Sequence, residues 1–408
     1  MKVIDLFAGA GGLSEGFRQA GYDVVAHVEM DESASFTLRT REVYYYLKEK
    51  NKLDLYKDYL LGKLSRDELY SQIPQKIIDK VVNAEISDKT IEGVFSKVDT
   101  LIEGEKVRVI IGGPPCQAYS VAGRSRDPNK MKNDPRNYLY KQYIKFLMRY
   151  QPDHFVFENV KGILSAGQGE IFKAIQTEMN EAGYQIDYRI LNAKDFGVIQ
   201  SRARVILIGW KTGLNYEYPE FEGVDENATI KELFMDLPKI QAGEKLVPGN
   251  TYVCSVDGKY LDRKQIRDSE WNVLTQHIAR PNNEQDLHIY RLCVEAWNDK
   301  KVKLKYNELP EKLRSHSNTS SFLDRFNVIP YDSISNTIVA HISKDGHYYI
   351  HPDIKQNRSL SVREAARIQS FPDNYYFENS RTAAFRQIGN AVPPLMAACI
   401  AEKIKEAL

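Results

Sequence analysis

The chain has 408 residues, 42% of them hydrophobic, which is enough to bury a substantial core and to form two domains. Its net charge is +1, so bulk charge neither requires nor excludes a polyanionic partner. The apolar runs are too short for a membrane span, the N-terminus does not resemble a targeting peptide, and four widely spaced cysteines indicate neither a disulfide framework nor a zinc site.

Alternating strand and helix patterns begin at the N-terminus. Residues 3–7 predict a short buried strand, which is followed by a glycine cluster and a helical stretch. Residues 24–28 predict a second strand that ends at Glu29. A strand, a glycine turn, a helix and a strand ending in an acid are typical of a nucleotide-binding βαβ unit.

Further apolar runs at 107–111, 155–157 and 205–208 predict more buried strands, with helical patterns between several of them. We therefore expect an α/β domain with a mostly parallel sheet. Residues from about 40 to 82 predict a helical insertion, and residues from about 212 to 353 predict a separate, smaller lobe of mixed, mainly irregular or β structure. The last helix, from about Pro394, is apolar enough to pack on the first lobe.

The glycine cluster at Gly9, Gly11 and Gly12 places small residues where a backbone must approach a ligand closely. Counted from Gly9, Ser14 stands where a G-x-G-x-x-G pattern has its third glycine. A cofactor without phosphates is therefore favoured over a dinucleotide. Glu29 is then expected to accept hydrogen bonds from ribose hydroxyls. The alternative is an ordinary tight turn with a solvated acid.

Cys116 follows two glycines and two prolines just beyond a predicted strand, at the sheet edge where α/β proteins bind ligands. This rigid turn distinguishes it from Cys254, Cys293 and Cys399, which we interpret as small core residues. Residues 118–137 form a basic, glycine-containing loop, which is either a clamp over phosphates or an ordinary solvated loop.

These segments resemble, in the same order, the motifs of the DNA cytosine-5 methyltransferases of the prokaryotic restriction-modification or Dcm-like type. The resemblance covers nearly all of the chain outside the insertion and the central lobe. It rests on the segments Asp5–Phe17, Glu29–Asp31, Gly113–Gln117, Phe157–Val160, Gln200–Val205, Arg363–Pro372 and Arg386–Pro394. The third-strand motif is degenerate: Glu85-Ile86 is the stronger candidate for it and Asp99 the weaker one.

The resemblance implies a catalytic role for four residues. The Cys116 thiolate would add to C6 of cytosine and make C5 nucleophilic. Glu158 would protonate or hydrogen-bond N3, which requires a raised pKa, and the alternative is an acid that caps the next helix. Arg204 would orient the base, with Arg202 beside it on one strand face, and the alternative is a solvated strand edge.

The implied cofactor is S-adenosylmethionine, with S-adenosylhomocysteine as its product. Met30 stands where many relatives have a bulky aromatic residue beside the adenine. The expected cofactor contacts are Phe7, Ala8, Gly9, Gly11, Gly12, Glu29, Met30, Glu85, Ile86, Pro115, Leu139, Asn390 and Val392. The expected DNA contacts are Gln117, Ser120, Arg124 and Arg126. Arg367 and Gln369 are expected to organise the second lobe.

The implied organisation is a catalytic and cofactor-binding domain at 1–212, a target-recognition domain at 213–375, and a segment at 376–408 that returns to the first domain. The implied partner is double-stranded DNA. We expect a cytoplasmic monomer, nucleoid-associated in a prokaryotic or phage setting, with no metal and no membrane contact. A cognate restriction endonuclease can accompany such an enzyme in the same cell without touching it.

Three other functions compete with this one. An RNA cytosine-5 methyltransferase would keep Cys116 and Glu158, but the long second lobe favours duplex DNA. A catalytically silent DNA-binding relative would have lost the thiol, the acid or the glycine loop, and all three are present. A nucleotide-dependent oxidoreductase is disfavoured because the third glycine is absent and the loop holds a single cysteine.

Overall fold

A computed structural model of the protein describes residues 1–115, 138–249, 251–315, 318–321 and 323–408. Seven strands form one sheet in the order β3-β2-β1-β4-β5-β7-β6. They are β1 (Lys2–Leu6), β2 (Asp23–Glu29), β3 (Val81–Asn83), β4 (Val107–Gly112), β5 (His154–Asn159), β6 (Tyr184–Asn192) and β7 (Ala203–Lys211). The first five strands run parallel, and β7 is antiparallel to both of its neighbours, β5 and β6, so the predicted α/β fold with a mostly parallel sheet is confirmed.

In the first half of the chain the helices fall between the strands, and in the second half they are separated by long irregular segments. They are α1 (Gly12–Gln19), α2 (Glu32–Glu49), α3 (Leu53–Leu60), α4 (Arg66–Ser71), α5 (Gln75–Ile78), α6 (Ile91–Ile102), α7 (Leu139–Tyr150), α8 (Glu170–Glu181), α9 (Ile230–Phe234), α10 (Tyr260–Arg263), α11 (Glu284–Lys300), α12 (Val362–Ile368), α13 (Arg381–Asn390) and α14 (Pro394–Lys405). Short 3-10 segments occur at Lys161–Gly169, Ala193–Phe196, Tyr306–Glu308, Glu311–Leu313 and Ala340–Ser343.

Helices cover both faces of the sheet. Successive strand side chains point to opposite faces, so Ile110 packs in the cluster with α6, α7 and α8, while Val109 and Ile111 pack in the cluster with α1 and α14. All three residues are fully buried. This two-sided burial explains why the strands read as continuous apolar runs rather than as alternating patterns.

The C-terminal helix α14 packs against α1, as predicted. An ideal Cβ on Gly16 of α1 would lie 2.5 Å from the Cβ of Ala397 and 2.5 Å from the nitrogen of Ala398. The two helices therefore approach more closely at Gly16 than any side chain would allow. Phe17 and Met396, both fully buried, extend the same contact.

The helical insertion is present, but its predicted boundaries need correction. Its first helix, α2, starts at Glu32 because the Asp31 side chain accepts a hydrogen bond of 2.9 Å from the nitrogen of Ala34. Its end lies before Val81, since Val81–Asn83 is strand β3 and pairs with His27–Glu29 of β2. A strand of three residues carries too little periodicity to be found from the sequence.

The second lobe is mainly irregular, with a few helices, so the irregular alternative agrees with the structure and the β alternative was wrong. Among its described residues, β pairing is limited to isolated bridges, such as Val328 with Ile350. Buried ion pairs hold this lobe together: the fully buried Arg367 binds Asp236 at 2.5 Å and Asp373 at 2.6 Å. The lobe therefore relies on long-range polar contacts that strand and helix periodicity cannot predict.

The cysteine interpretation is confirmed at Cys293, which is buried, and is wrong at Cys254, which is exposed. Cys254 lies in an irregular segment at the lobe surface, where its thiol donates to the carbonyl of Met235 at 3.7 Å. Cys399 is partly buried. No helix in the described ranges is both long and apolar enough to cross a bilayer.

Candidate functional site

The carboxyl ends of three neighbouring strands bring the candidate residues together. Leu6 at the end of β1 pairs with Gly112 of β4, and Gly112 pairs with Phe157 of β5. An ideal Cβ on Gly112 would lie only 2.3 Å from the carbonyl oxygen of Leu6. The glycine permits this close approach, and the loops that follow the three strands leave the sheet side by side. The strand order also reverses between β1 and β4, which is where open α/β sheets bind ligands.

Glu158 and Arg204 form an ion pair at this edge. Glu158 of β5 stands opposite Ile206 of the antiparallel strand β7, which places Arg204 near the carboxylate. The Nε of Arg204 lies 2.9 Å from Oε1 of Glu158, and the side chains are only 12% and 14% exposed. One carboxylate oxygen is thus held by a cation in a largely desolvated site, where charge-assisted hydrogen bonds are strong.

The segment that leads into Cys116 passes directly over Glu158. An ideal Cβ on Gly113 would lie 2.7 Å from Oε2 of Glu158, so a glycine is needed where the two meet. Pro114 is buried, and its carbonyl accepts a hydrogen bond of 3.5 Å from the Asn159 side chain. Cys116 itself, together with the predicted DNA contacts Gln117, Ser120, Arg124 and Arg126, lies outside the described residues.

Arg202 differs from Arg204 in its surroundings. It precedes β7, is fully buried, and donates from Nη1 to the carbonyl of Ile338 at 2.6 Å and from Nη2 to that of Gly389 at 3.1 Å. Burial, together with the nearby charge of Arg204, lowers the pKa of its guanidinium well below the usual range. Arg202 therefore joins the second lobe and the α13 end to the seven-stranded sheet.

The three glycines of the first loop differ in their surroundings. Gly9 has a φ of 54° and nothing within 4 Å of an ideal Cβ, so its backbone borders open space. An ideal Cβ on Gly11 would lie 2.9 Å from the hydroxyl of Tyr375, and one on Gly12 would lie 2.1 Å from the carbonyl of Val392. The last two glycines thus permit close packing with the C-terminal part of the chain. Phe7 also has a positive φ, 54°, which is an uncommon backbone conformation for a residue other than glycine.

Glu29 lies below the loop at the end of β2. Its Oε2 accepts a hydrogen bond of 2.7 Å from the nitrogen of Gly9, and its Oε1 accepts one of 2.7 Å from the nitrogen of Asp31. Burial raises the pKa of this carboxyl, although both backbone donors act in the opposite direction. The neighbouring Met30 is 63% exposed.

The remaining predicted cofactor residues surround the same edge. Ile86 is buried after β3, while Glu85 beside it is exposed. Leu139 begins α7 and is partly buried, and Pro115 is exposed. Asp99, the weaker third-strand candidate, instead lies within α6, where it pairs with Arg149 on the outer surface.

Two further predicted cofactor residues come from the C-terminal part of the chain. Val392 reaches the loop through its carbonyl, and Asn390 is exposed at the end of α13. Ala8 donates its nitrogen to the carbonyl of Val28 at 3.2 Å, which ties the start of the loop to β2. These placements bring the N-terminal loop and the C-terminal segment to one edge of the sheet.

Sequence reasoning missed Tyr375. Its hydroxyl donates a hydrogen bond of 2.5 Å to the carbonyl of Ala10 in the glycine loop, across a separation of 365 residues. It is 1% exposed. No local pattern signals such a contact, because it depends on how the second lobe docks on the first.

Comparison with known proteins gives consistent matches over the whole chain. The family model for C-5 cytosine-specific DNA methylase matches residues 1–61 and 65–406. A type II methyltransferase of Bacillus paralicheniformis, M.Bpa9945I, is 41% identical over 444 aligned positions, which cover 100% of this chain and 99% of that protein. The type II methyltransferase M.DdeI of Desulfomicrobium norvegicum is 32% identical, and the match covers 99% of this chain and 88% of that protein.

A similar fold is found among solved structures. A protein described as a DNA modification methyltransferase encoded within an E. coli prophage superposes with a TM-score of 0.65 at 23% identity. The match covers 100% of this chain and 99% of that one. At this identity the likeness concerns the fold, including the second lobe.

Proposed function

The chain belongs to the C-5 cytosine-specific DNA methylase family, and from this premise we propose that it methylates C5 of a cytosine flipped out of duplex DNA. The methyl donor in this proposal is S-adenosylmethionine, and the reaction proceeds through a covalent bond between Cys116 and C6. The observation that carries the proposal is the position of the Glu158–Arg204 ion pair, directly beside Gly113 in the segment that leads to Cys116.

The chemistry requires an acid near the nucleophile. When the thiolate of Cys116 bonds to C6, electron density moves from the C5–C6 double bond toward C5 and N3. Glu158 would protonate or hydrogen-bond N3 and so stabilise this density. Arg204 holds one oxygen of Glu158 at 2.9 Å, which orients the carboxyl and leaves its second oxygen toward Gly113. Removal of the C5 proton then re-forms the double bond and expels the thiol.

The glycine loop and Glu29 fit the adenosine part of this donor. Gly9 borders open space, and the buried Glu29 carboxyl keeps further acceptor capacity for ribose hydroxyls. When bound, S-adenosylmethionine supplies the methyl group that C5 takes. The role of the protein residues is to hold the donor beside the carboxyl edge and to keep water away.

The base lies inside the duplex and must leave the stack to reach this edge. We assign DNA positioning to the basic loop with Arg124 and Arg126, and base readout to the second lobe, about residues 213–375. Residues 1–212 would carry the chemistry and the cofactor, and residues 376–408 would complete the cofactor pocket. By analogy with its type II relatives, the enzyme would be the modification partner of a restriction endonuclease in the same cell, acting as a cytoplasmic monomer.

The test is covalent trapping on duplex DNA libraries that contain 5-fluorocytosine, in the presence of S-adenosylmethionine. The fluorine cannot leave as a cation, so the Cys116 adduct would persist in denaturant. We expect an adduct with the wild type and with Cys254→Ala, which removes an exposed thiol outside the site, and none with Cys116→Ala. Sequencing of the trapped DNA would reveal the target sequence.

The other outcomes separate the competing functions. An adduct on folded RNA but not on DNA would make the protein an RNA cytosine-5 methyltransferase. An adduct that survives Cys116→Ala would refute the assigned nucleophile. No adduct on either nucleic acid would favour a silent DNA-binding protein.

A further inference from the structure

A side-chain hydroxyl links the glycine loop to the C-terminal part of the chain. Tyr375 follows α12 and donates to the carbonyl of Ala10, which is itself 1% exposed. The same hydroxyl lies 2.9 Å from the position that a Cβ on Gly11 would occupy. Since Gly11 precedes α1 with a φ of 74°, this hydroxyl supports the point where the loop becomes a helix.

Arg41 holds Tyr375 in place. Its guanidinium carbon lies 4.7 Å from the centre of the Tyr375 ring, and its Nη1 donates to the side-chain oxygen of Asn374 at 2.8 Å. The other side of the guanidinium binds Glu15 of α1, with Nε and Nη2 at 2.8 and 2.6 Å. Arg41 is only 7% exposed, and Glu15 is 2% exposed.

These contacts form a closed ring around the start of α1. Glu15 donates its backbone nitrogen to the carbonyl of Gly11 at 2.8 Å, which connects the ion pair back to the loop. Burial alone would raise the pKa of Glu15, but Arg41 holds it below its usual range, so the carboxylate stays charged and the pair stays formed. A buried, fully bonded network of this kind holds its members in one arrangement.

The ring also includes a residue of the helical insertion. Arg41 belongs to α2, which places the insertion between the glycine loop and the second lobe. The insertion packs on the lobe through a shared apolar cluster that contains Tyr56 and Trp271. The glycine loop is thus held in place by contacts from helix α2 of the insertion and from the second lobe, both of which lie outside the edge of the sheet.

We propose that Tyr375, oriented by Arg41, is a positioning residue that holds the glycine loop in the conformation that binds the cofactor. The assignment rests on the proposed function, because it takes the loop as the cofactor site. Without the hydroxyl, the buried carbonyl of Ala10 loses its side-chain partner, and other loop conformations become populated. The apparent affinity for the cofactor then falls in proportion to the competent fraction.

The test compares Tyr375→Phe with Tyr184→Phe in the full-length protein. Tyr184 is a matched control because it is also 1% exposed and its hydroxyl also donates to a backbone carbonyl, that of Pro152, at 3.0 Å. We expect Tyr375→Phe to raise the dissociation constant of S-adenosylmethionine, measured by calorimetry, about 10-fold. Its KM for the cofactor should rise equally, with kcat at saturating cofactor within about 2-fold of the wild-type value. Tyr184→Phe should leave the dissociation constant unchanged.

A second variant, Arg41→Lys, tests whether the affinity for the cofactor depends on Arg41 as well as on Tyr375. Lysine keeps the positive charge beside Glu15, but a single ammonium cannot bind Glu15 and Asn374 with the geometry of the fork. We expect a rise in the same dissociation constant, with kcat again retained. Equal affinities in Tyr375→Phe, Tyr184→Phe and the wild type would overturn the proposal, as would a loss confined to kcat. If the wild type itself bound no S-adenosylmethionine, the proposed function would fall first and this assignment with it.

Discussion

The ion pair between Glu158 and Arg204 makes a quantitative prediction about catalysis. Replacing Glu158 by Gln removes the acid but keeps the shape, and loss of a general acid typically slows a reaction about 10²–10⁴-fold. Replacing Arg204 by Gln removes a charge-assisted hydrogen bond of 2.9 Å between side chains that are 12% and 14% exposed. Such a bond contributes about 1.5–3 kcal/mol, so the rate should fall about 10- to 150-fold.

If Arg204 acts mainly through Glu158, the rate reductions caused by the two substitutions should not multiply. In the Glu158→Gln background, Arg204→Gln should cost less than about 3-fold, so the coupling energy of the double-mutant cycle should approach the full effect of the single change. The assay is single-turnover methyl transfer to duplex DNA at saturating cofactor, with circular dichroism to confirm folding.

The control is Arg189→Gln. Arg189 pairs with Asp187 at 2.7 Å on β6, but these side chains are 47% and 40% exposed, and the rate should stay within about 2-fold of the wild-type value. If the Arg204 and Glu158 effects multiplied fully, Arg204 would act on the substrate independently and the reasoning from the ion pair would be refuted.

Two other predictions concern stability. Arg367→Met removes the cation that the fully buried Asp236 and Asp373 share, while Arg267 and Arg363 remain beside them, and should lower the free energy of unfolding by up to about 3–5 kcal/mol in chemical denaturation. His154 is 1% exposed, and burial lowers its pKa to about 4, so between about pH 6.5 and pH 4 the unfolded chain binds a proton that the folded protein does not. Stability should therefore fall as the pH falls, by about 2 kcal/mol from this group at pH 5, and His154→Phe should remove that part of the acid sensitivity.

Each stability prediction has its own control. Arg386 is 57% exposed and lies 4.0 Å from Asp31, so Arg386→Met should leave the unfolding midpoint close to that of the wild type. A similar loss in both arginine variants would show that charge rather than burial matters. For His154, unfolding free energies of the wild type and the variant that run parallel from pH 7 to pH 5 would contradict the assigned pKa.

The fold of the first half of the chain is predictable from the sequence because its signals are local. Two-sided burial makes each central strand a continuous apolar run, and the turns after β1 and β4 need glycine or proline within a few residues. The strands of the sheet were therefore found in order, apart from the three-residue strand β3 and the long edge strand β6. Of these, β6 is only partly buried, and its first residue, Tyr184, is its only buried one.

The structure of the second lobe is harder to predict from the sequence, because the lobe is held together by polar side chains that are far apart along the chain. Arg367 reaches Asp236 across 131 residues, and both are fully buried. Buried charges are tolerated only where such partners are supplied, and a sequence pattern does not show which partners meet. The same limit explains why the sequence predicts irregular or β structure without deciding between them, in a lobe that is mainly irregular with a few helices.

The sequence by itself determined the family, the sheet and the order of the candidate site residues along the chain. Only the tertiary structure decided which groups those residues contact. Gly9 borders open space while Gly12 packs on Val392, and Arg204 pairs with Glu158 while Arg202 binds two backbone carbonyls. Residue type and spacing follow from local backbone geometry, whereas the neighbours of a side chain follow from how distant segments pack, and that packing also brings Tyr375 to Ala10.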